Sequence, residues 1–142
     1  MKKLTNTAGF TLLEIIIVII IVGVLASLAL PRFFSTVEFS RSAEALSALS
    51  VIRGSMERCY LQNGGSYANC NVFTNLDIQD PATSPNAQFD YSWPAPAPSA
   101  TGYSIRGTRN TYEGGSATST ITITQTSTTL SRAGATAFSN IK

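Results

Sequence analysis

The 142-residue sequence contains no histidine. That removes the commonest general base and metal ligand, and with them Ser/His/Asp triads, Cys/His dyads and zinc sites of the HExxH kind. Cysteine is nearly absent as well, and two residues are too few for a Cys-rich structural zinc site. Charge is scarce. Acidic and basic side chains together make up 13 %, about half the usual share of roughly a quarter. The formal net charge of +2 argues against a basic nucleic-acid-binding surface, so nucleic acid would be at most an indirect partner. No Asn-x-Ser/Thr glycosylation acceptor occurs. The length suits one ordinary domain and is short for two. Most enzyme classes are thereby set aside, and no catalytic residue, cofactor or metal ligand is expected.

What the chain does have is apolar sequence gathered at one end. Phe10 to Leu30 carries a single charge, Glu14, with Thr11 and Ser27 as further polar interruptions. At about 1.5 Å per helical residue this run covers the roughly 30 Å of bilayer hydrocarbon. Lys2 and Lys3 precede it and no acid does, which places the N-terminus in the cytoplasm and Pro31 onward across the membrane. Three readings compete: a cleaved secretory signal, with Ser27-Leu28-Ala29 offering small residues to a signal peptidase, a permanent anchor, or a precursor cut ahead of the run. Glu14 counts against the first. A carboxylate inside hydrocarbon costs roughly 2.5–3.5 kcal/mol on insertion scales, so it marks a functional site with a partner to be named.

The residues just upstream suggest that partner. Gly9-Phe10-Thr11-Leu12-Leu13-Glu14, followed by an isoleucine-rich run, with Gly23 and Pro31 further on, closely resembles the class III signal of type IV pilins and pseudopilins. The resemblance covers Met1 to about Tyr60 well and the remainder only in general character. It implies a leader, residues 1–9, removed by a prepilin peptidase on the cytoplasmic side after Gly9, methylation of the new amino group of Phe10, and retention of the apolar segment. It further implies that Glu14 engages the N-terminal amine of an adjacent subunit and sets axial register. An assembly platform protein in the inner membrane and a cytoplasmic assembly ATPase follow as partners. Elementary electrostatics agrees: a cut after Gly9 creates an ammonium four residues from Glu14, and the two charges neutralise one another within or between subunits. Loss of Lys2 and Lys3 leaves eight basic against eight acidic side chains, a neutral subunit that packs against copies of itself without large repulsion.

Pro31 and Gly23 are expected to break or bend the helix. Beyond them Phe39, Ala43, Leu46, Leu49, Ile52, Met56 and Tyr60 recur at the spacing of one helical face, and Glu38/Arg41, Arg41/Glu44 and Arg53/Glu57 are spaced for pairing. A helix over 10–60 would span roughly 75 Å, more than the remaining chain can cover, so it needs lipid or neighbouring copies. The aromatics along it are read as packing residues rather than as carriers of electrons.

Asn63-Gly64-Gly65 ends the helix. Cys59 and Cys70, eleven positions apart in an exported chain, read as a disulfide, against free thiols or intermolecular pairing. Many pilins carry their disulfide near the C-terminus, where this chain has no cysteine. Residues 61–101 are expected to be irregular, with a polyproline-like stretch at Trp93-Pro94-Ala95-Pro96-Ala97-Pro98. Asp77, Asp80 and Asp90 invite comparison with calcium-binding heads of pseudopilins, but their spacing fits no EF-hand and they are read as solvated loop acids. Strands are expected within 102–142, at Tyr103–Thr108, Thr118–Thr126 and Thr128–Arg132. The Ser/Thr richness there is read as β-propensity rather than O-glycosylation.

The expected fold is therefore α+β: a long N-terminal helix over 10–60, membrane-spanning over 10–30 and then amphipathic, packed on a small antiparallel sheet in a head over 61–142. The resemblance implies a subunit of a type IV pilus filament, a homopolymer serving adhesion, motility or DNA uptake, held in the inner membrane as precursor and extracellular when assembled. The alternatives are a pseudopilin of a type II secretion system, or a membrane-anchored exported binding module.

Overall fold

A computed structural model of the protein describes residues 10–141. They fall into two compact units, one ending at Thr36 and one beginning at Val37. A single helical assignment, α1 (Leu12–Gln62), contributes to both. The helix does not break at Gly23 or Pro31, contrary to expectation. Proline already has a helical φ, so Pro31 costs one hydrogen bond, that to the Ser27 carbonyl, without forcing the backbone elsewhere. Gly23 leaves open space around it, with no atom within 4 Å of where a Cβ would stand.

The second unit is the head. Its four strands, β1 (Phe89–Ser92), β2 (Tyr103–Arg109), β3 (Thr120–Gln125) and β4 (Leu130–Gly134), form an antiparallel meander in sequential order. Alternation sets the faces. Tyr103, Ile105, Gly107 and Arg109 of β2 and Ile121 and Ile123 of β3 are buried, while Ser104, Arg106, Thr108 and the β3 threonines face the other way. Strand β1 lies within the stretch expected to be irregular. Its Phe89-Asp90-Tyr91-Ser92 does alternate, but four residues followed by Trp93-Pro94 are too short a signal to stand out against a proline-rich flank.

The helix meets the sheet on a face rotated from the expected one. Ser42, Ala45, Leu49, Ile52, Ser55, Met56 and Cys59 are buried, Leu46 and Tyr60 are half-buried, and Phe39 and Ala43 are exposed. Small residues explain the rotation. Serine and alanine at the seam let the backbones approach closely, and each serine hydroxyl is satisfied: Ser42 donates to the Phe39 carbonyl at 2.5 Å and Ser55 donates to Asp77. Gly107 across the seam leaves room for Leu49, whose methyl lies 3.7 Å from where a Cβ would stand. The C-terminal segment closes the core with Phe138, its ring centroid 5.7 Å from that of Phe89.

Three ties fix the head half of α1 to the rest of the head. At its C-terminal end the helix stops at Gly64 and Gly65, both at positive φ, and the Asn63 amide donates to the Cys59 carbonyl at 2.9 Å. There Cys59 and Cys70 form a disulfide; closing a loop of this size stabilises by about 3 kcal/mol. One residue before Cys59, Arg58 grips Asp77 with two hydrogen bonds, at 2.5 and 2.8 Å. Near the other end, Glu38 accepts at 2.8 Å from Nε of Arg109, whose side chain is fully buried. Arg109 also donates to the carbonyls of Gln88 and Asn110, both at 3.1 Å, and its guanidinium lies 5.9 Å from the Phe89 ring centroid. Only glycine fits at position 115, since a Cβ there would stand 2.6 Å from Cζ of Arg109.

Of the expected helical pairs, Glu38/Arg41 forms at 3.4 Å, but Arg41 turns its second nitrogen to Glu113 at 3.0 Å and not to Glu44. Glu57 is engaged by the Tyr67 and Tyr103 hydroxyls, at 2.9 and 3.4 Å, rather than by Arg53.

Glu38→Ala strands the buried guanidinium and is expected to destabilise the head by about 3 kcal/mol, the low end for a broken buried pair because Glu38 keeps some exposure. Urea unfolding of the full chain in detergent checks this. Glu38→Leu combined with Arg109→Met should recover part of the loss, because it removes the stranded charge along with its partner.

Candidate functional site

The site to which the sequence points is the start of α1. Lys2, Lys3 and Gly9, the residue preceding the expected cut, lie outside the described residues; Phe10 is described and exposed. Phe10 and Thr11 precede the helix, and Thr11 caps it. The Thr11 hydroxyl accepts the Glu14 N–H at 3.2 Å, and the Thr11 carbonyl accepts the Ile15 N–H at 3.3 Å. Thr11-Leu12-Leu13-Glu14 thus has the Thr-x-x-Glu spacing of a capping box, a signal the sequence reading passed over. The arrangement fixes Glu14 as the third helical residue, at the positive end of the helix, where an anion is favoured.

From that cap onward the apolar run is exposed among the described residues. Fifteen large apolar side chains between Phe10 and Leu30 are exposed. At about 1.5–3 kcal/mol each, leaving them in water would forgo roughly 20–45 kcal/mol, several times the net stability of a typical domain. Burial of this surface therefore comes from outside the chain. The helix is long and apolar enough to cross a membrane, and Glu14 is the sole charge in the run.

In the head, the three acids once comparable to calcium ligands have separate structural roles. Asp80 caps a short 3-10 turn over Pro81–Thr83 by accepting the Ala82 N–H at 2.9 Å, and Asp90 projects from β1 to the exposed face. Asp77 is no simple solvated acid. Hydrogen bonds from Arg58, then from Ser55, hold its carboxyl down at about 2, and the same contact raises Arg58. Among the described residues no three His, Cys, Asp or Glu side chains come together as a metal-holding group. On the other flank of α1, burial and then the Glu57 carboxylate push the Tyr67 phenol up to about 12, and the same two causes raise Tyr103.

The lowered Asp77 value predicts an acid limb. Its contribution is complete above the unfolded value of about 4 and is lost as pH falls toward about 2. Asp77→Asn should lose stability at neutral pH and show a flatter decline than wild type between about pH 4 and 2, measured as the unfolding midpoint of the full chain in detergent.

Comparison with known proteins bears on the N-terminal site. Residues 4–30 match the prokaryotic N-terminal methylation motif. The chain is 31 % identical over 91 residues to a type IV major fimbrial protein FimA of Dichelobacter nodosus, covering 63 % of this chain and 55 % of that protein. It is 34 % identical over 80 residues to the type II secretion system core protein G of Klebsiella pneumoniae, covering 56 % of each. It is 36 % identical over 63 residues to core protein G of Escherichia coli K12, covering 44 % of this chain and 43 % of that one. The chain thus spans about half the length of the relatives it matches. The N-terminal sequence thus carries the prokaryotic N-terminal methylation motif, and the chain is similar to type IV fimbrial proteins and to type II secretion core proteins G.

Proposed function

We propose that the chain is a structural assembly subunit rather than an enzyme, a type IV pilin that polymerises through its N-terminal helix into a cell-surface filament. The observation that carries this reading is the uncovered apolar run interrupted by one carboxylate at its cap. In the precursor, lipid of the inner membrane solvates that run. In the filament, the same run of neighbouring copies does so, and helices bundle because each lacks any other cover. Phe10 and Thr11 stand ahead of the helical hydrogen-bond ladder, and on this reading a prepilin peptidase cuts the Gly9–Phe10 bond. Cleavage there frees the Phe10 ammonium for methylation and for pairing with Glu14 of an adjacent copy. The peptidase, an inner-membrane platform protein and an assembly ATPase are the partners this reading requires, with adhesion, motility or DNA uptake as uses of the filament.

The relatives named core protein G favour a second reading, a pseudopilin that builds a short periplasmic piston for protein export. Shearing distinguishes the two: long surface filaments support the pilin, and their absence beside a working secretion apparatus supports the pseudopilin.

Intact mass and N-terminal sequence of protein from membrane and sheared fractions test the shared core of both readings. The expected chain begins at N-methylated Phe10; one beginning at Leu30 or at Met1 overturns assembly by this route. Glu14→Ala should leave processing and the head intact while reducing filament yield by about tenfold, the effect of roughly 1.4 kcal/mol per subunit added. Wild-type yield would remove Glu14 from the assembly step.

A further inference from the structure

Arg41 could have served either Glu38 or Glu44, and the structure commits it to Glu38 and Glu113. Glu44 is therefore exposed without an ion-pair partner among the described residues. Its Oε1 accepts the Gln88 amide at 3.3 Å, which sets the carboxylate beside a groove of about 400 Å³ lined by Ser47, Ala48, Pro81, Ala87 and Tyr91. The groove adjoins β1, one edge strand of the sheet. Burial, then the charges of Glu44, Asp80 and Asp90, raise the Tyr91 phenol.

The opposite edge has the opposite sign. Arg132 of β4 pairs in register with Ile123, a buried residue, so it lies on the helix-facing side of the sheet. It is exposed and forms no ion pair with a described residue. Arg106 of β2 lies on the other side, between buried Ile105 and Gly107. Glu44 and Arg132 thus occupy the same side of the sheet at its two opposite edges. An inward-pointing arginine also keeps β4 from pairing indiscriminately with other strands, which leaves its charge to specify the contact.

We propose that the Glu44 groove of one copy receives the Arg132 side chain of a second copy, joining the β1 flank of one head to the β4 edge of the next. A carboxylate beside a tyrosine ring suits a planar guanidinium, which pairs with the one and stacks on the other. The two surfaces differ, so the contact is heterologous: each head offers a free groove at one edge and a free arginine at the other, and the contact repeats as an open helical array. The inference rests on the filament reading and supplies its head-to-head contact.

Charge reversal in the full chain, assayed by sheared filament yield, tests it. Glu44→Arg and Arg132→Glu should each lower yield by about tenfold through like-charge contact, and the double variant should restore most of it, with disulfide formation and membrane level unchanged throughout. Arg106→Glu should leave yield near wild type. As a direct readout, assembled Arg132→Lys protein treated with a carbodiimide should give an amide cross-link between positions 44 and 132 of different copies. Filaments that form normally in both single variants, that are lost without rescue in the double, or that yield no 44–132 link overturn this contact and leave the filament reading standing. Processed wild-type protein that never assembles overturns both.

Discussion

The constraint on which the rest of this protein depends is an apolar helical surface with no cover of its own. A domain normally buries such surface as it folds, and the gain offsets conformational entropy to leave a net stability of about 5–15 kcal/mol. Here the uncovered side chains from Phe10 to Leu30 represent more than that whole margin, so the chain has no low-energy state as an isolated molecule in water. Lipid and a bundle of like helices are the two environments that solve the problem, and passage between them is nearly isoenergetic for the apolar atoms. What distinguishes the two is then polar. In hydrocarbon Glu14 is an unpaired cost, which on the proposed assembly a neighbour's new ammonium would match.

The head half of α1 needs anchoring at both of its ends to keep one face against the sheet. The ties between helix and head are placed accordingly. Glu38 and Arg109 hold one end, and Cys59–Cys70 with Arg58–Asp77 hold the other. Between them the seam is close-packed rather than polar, through Ala45, Leu49, Ile52 and Met56 against Ile105, Ile121 and Ile123. The end ties differ in kind for a physical reason. Arg58–Asp77 is half-exposed and so positions a loop more than it stabilises. Arg109 is fully buried, and its worth lies in the penalty for removing its partner.

Much of this was legible in the sequence because the signals were local and strong. The apolar run, the Gly9-to-Glu14 signal, the Asn63-Gly64-Gly65 stop and the Ile121/Ile123 alternation each need only neighbouring residues to be read, and two cysteines allow only one intramolecular pairing. What was not legible depends on tertiary choice. The helix face was misjudged at Phe39 and Ala43 because hydrophobicity favoured Phe39, while close approach to the sheet selected Ser42, Ala45 and Ser55 instead. Arg109 continues the inward alternation Tyr103, Ile105, Gly107, so its burial was implied by period 2, but its charge argued for the surface and only Glu38, 71 positions away, settles the conflict. Strand β1 needed β2 beside it to become a strand at all. The capping role of Thr11 was readable from Thr-x-x-Glu spacing and was obscured by the membrane reading of the same residues.

The charge inventory connects these observations. Lys2 and Lys3 aside, basic and acidic side chains are equal in number, yet the head spends only some of them internally. Glu38, Glu113 and Asp77 are matched by Arg109, Arg41 and Arg58. Among the charges that form no ion pair with a described residue, Glu44 lies on one flank and Arg132 on the opposite edge, with opposite sign. Had the residual charges been interspersed, the head would be electrostatically bland and indifferent to how a neighbour approached. Separated to two edges, Glu44 and Arg132 would, on the proposed contact, favour a second head that presents the complementary edge. On the proposed assembly, helix burial would supply the drive to associate but is non-directional, and the exposed charges would turn association into a register.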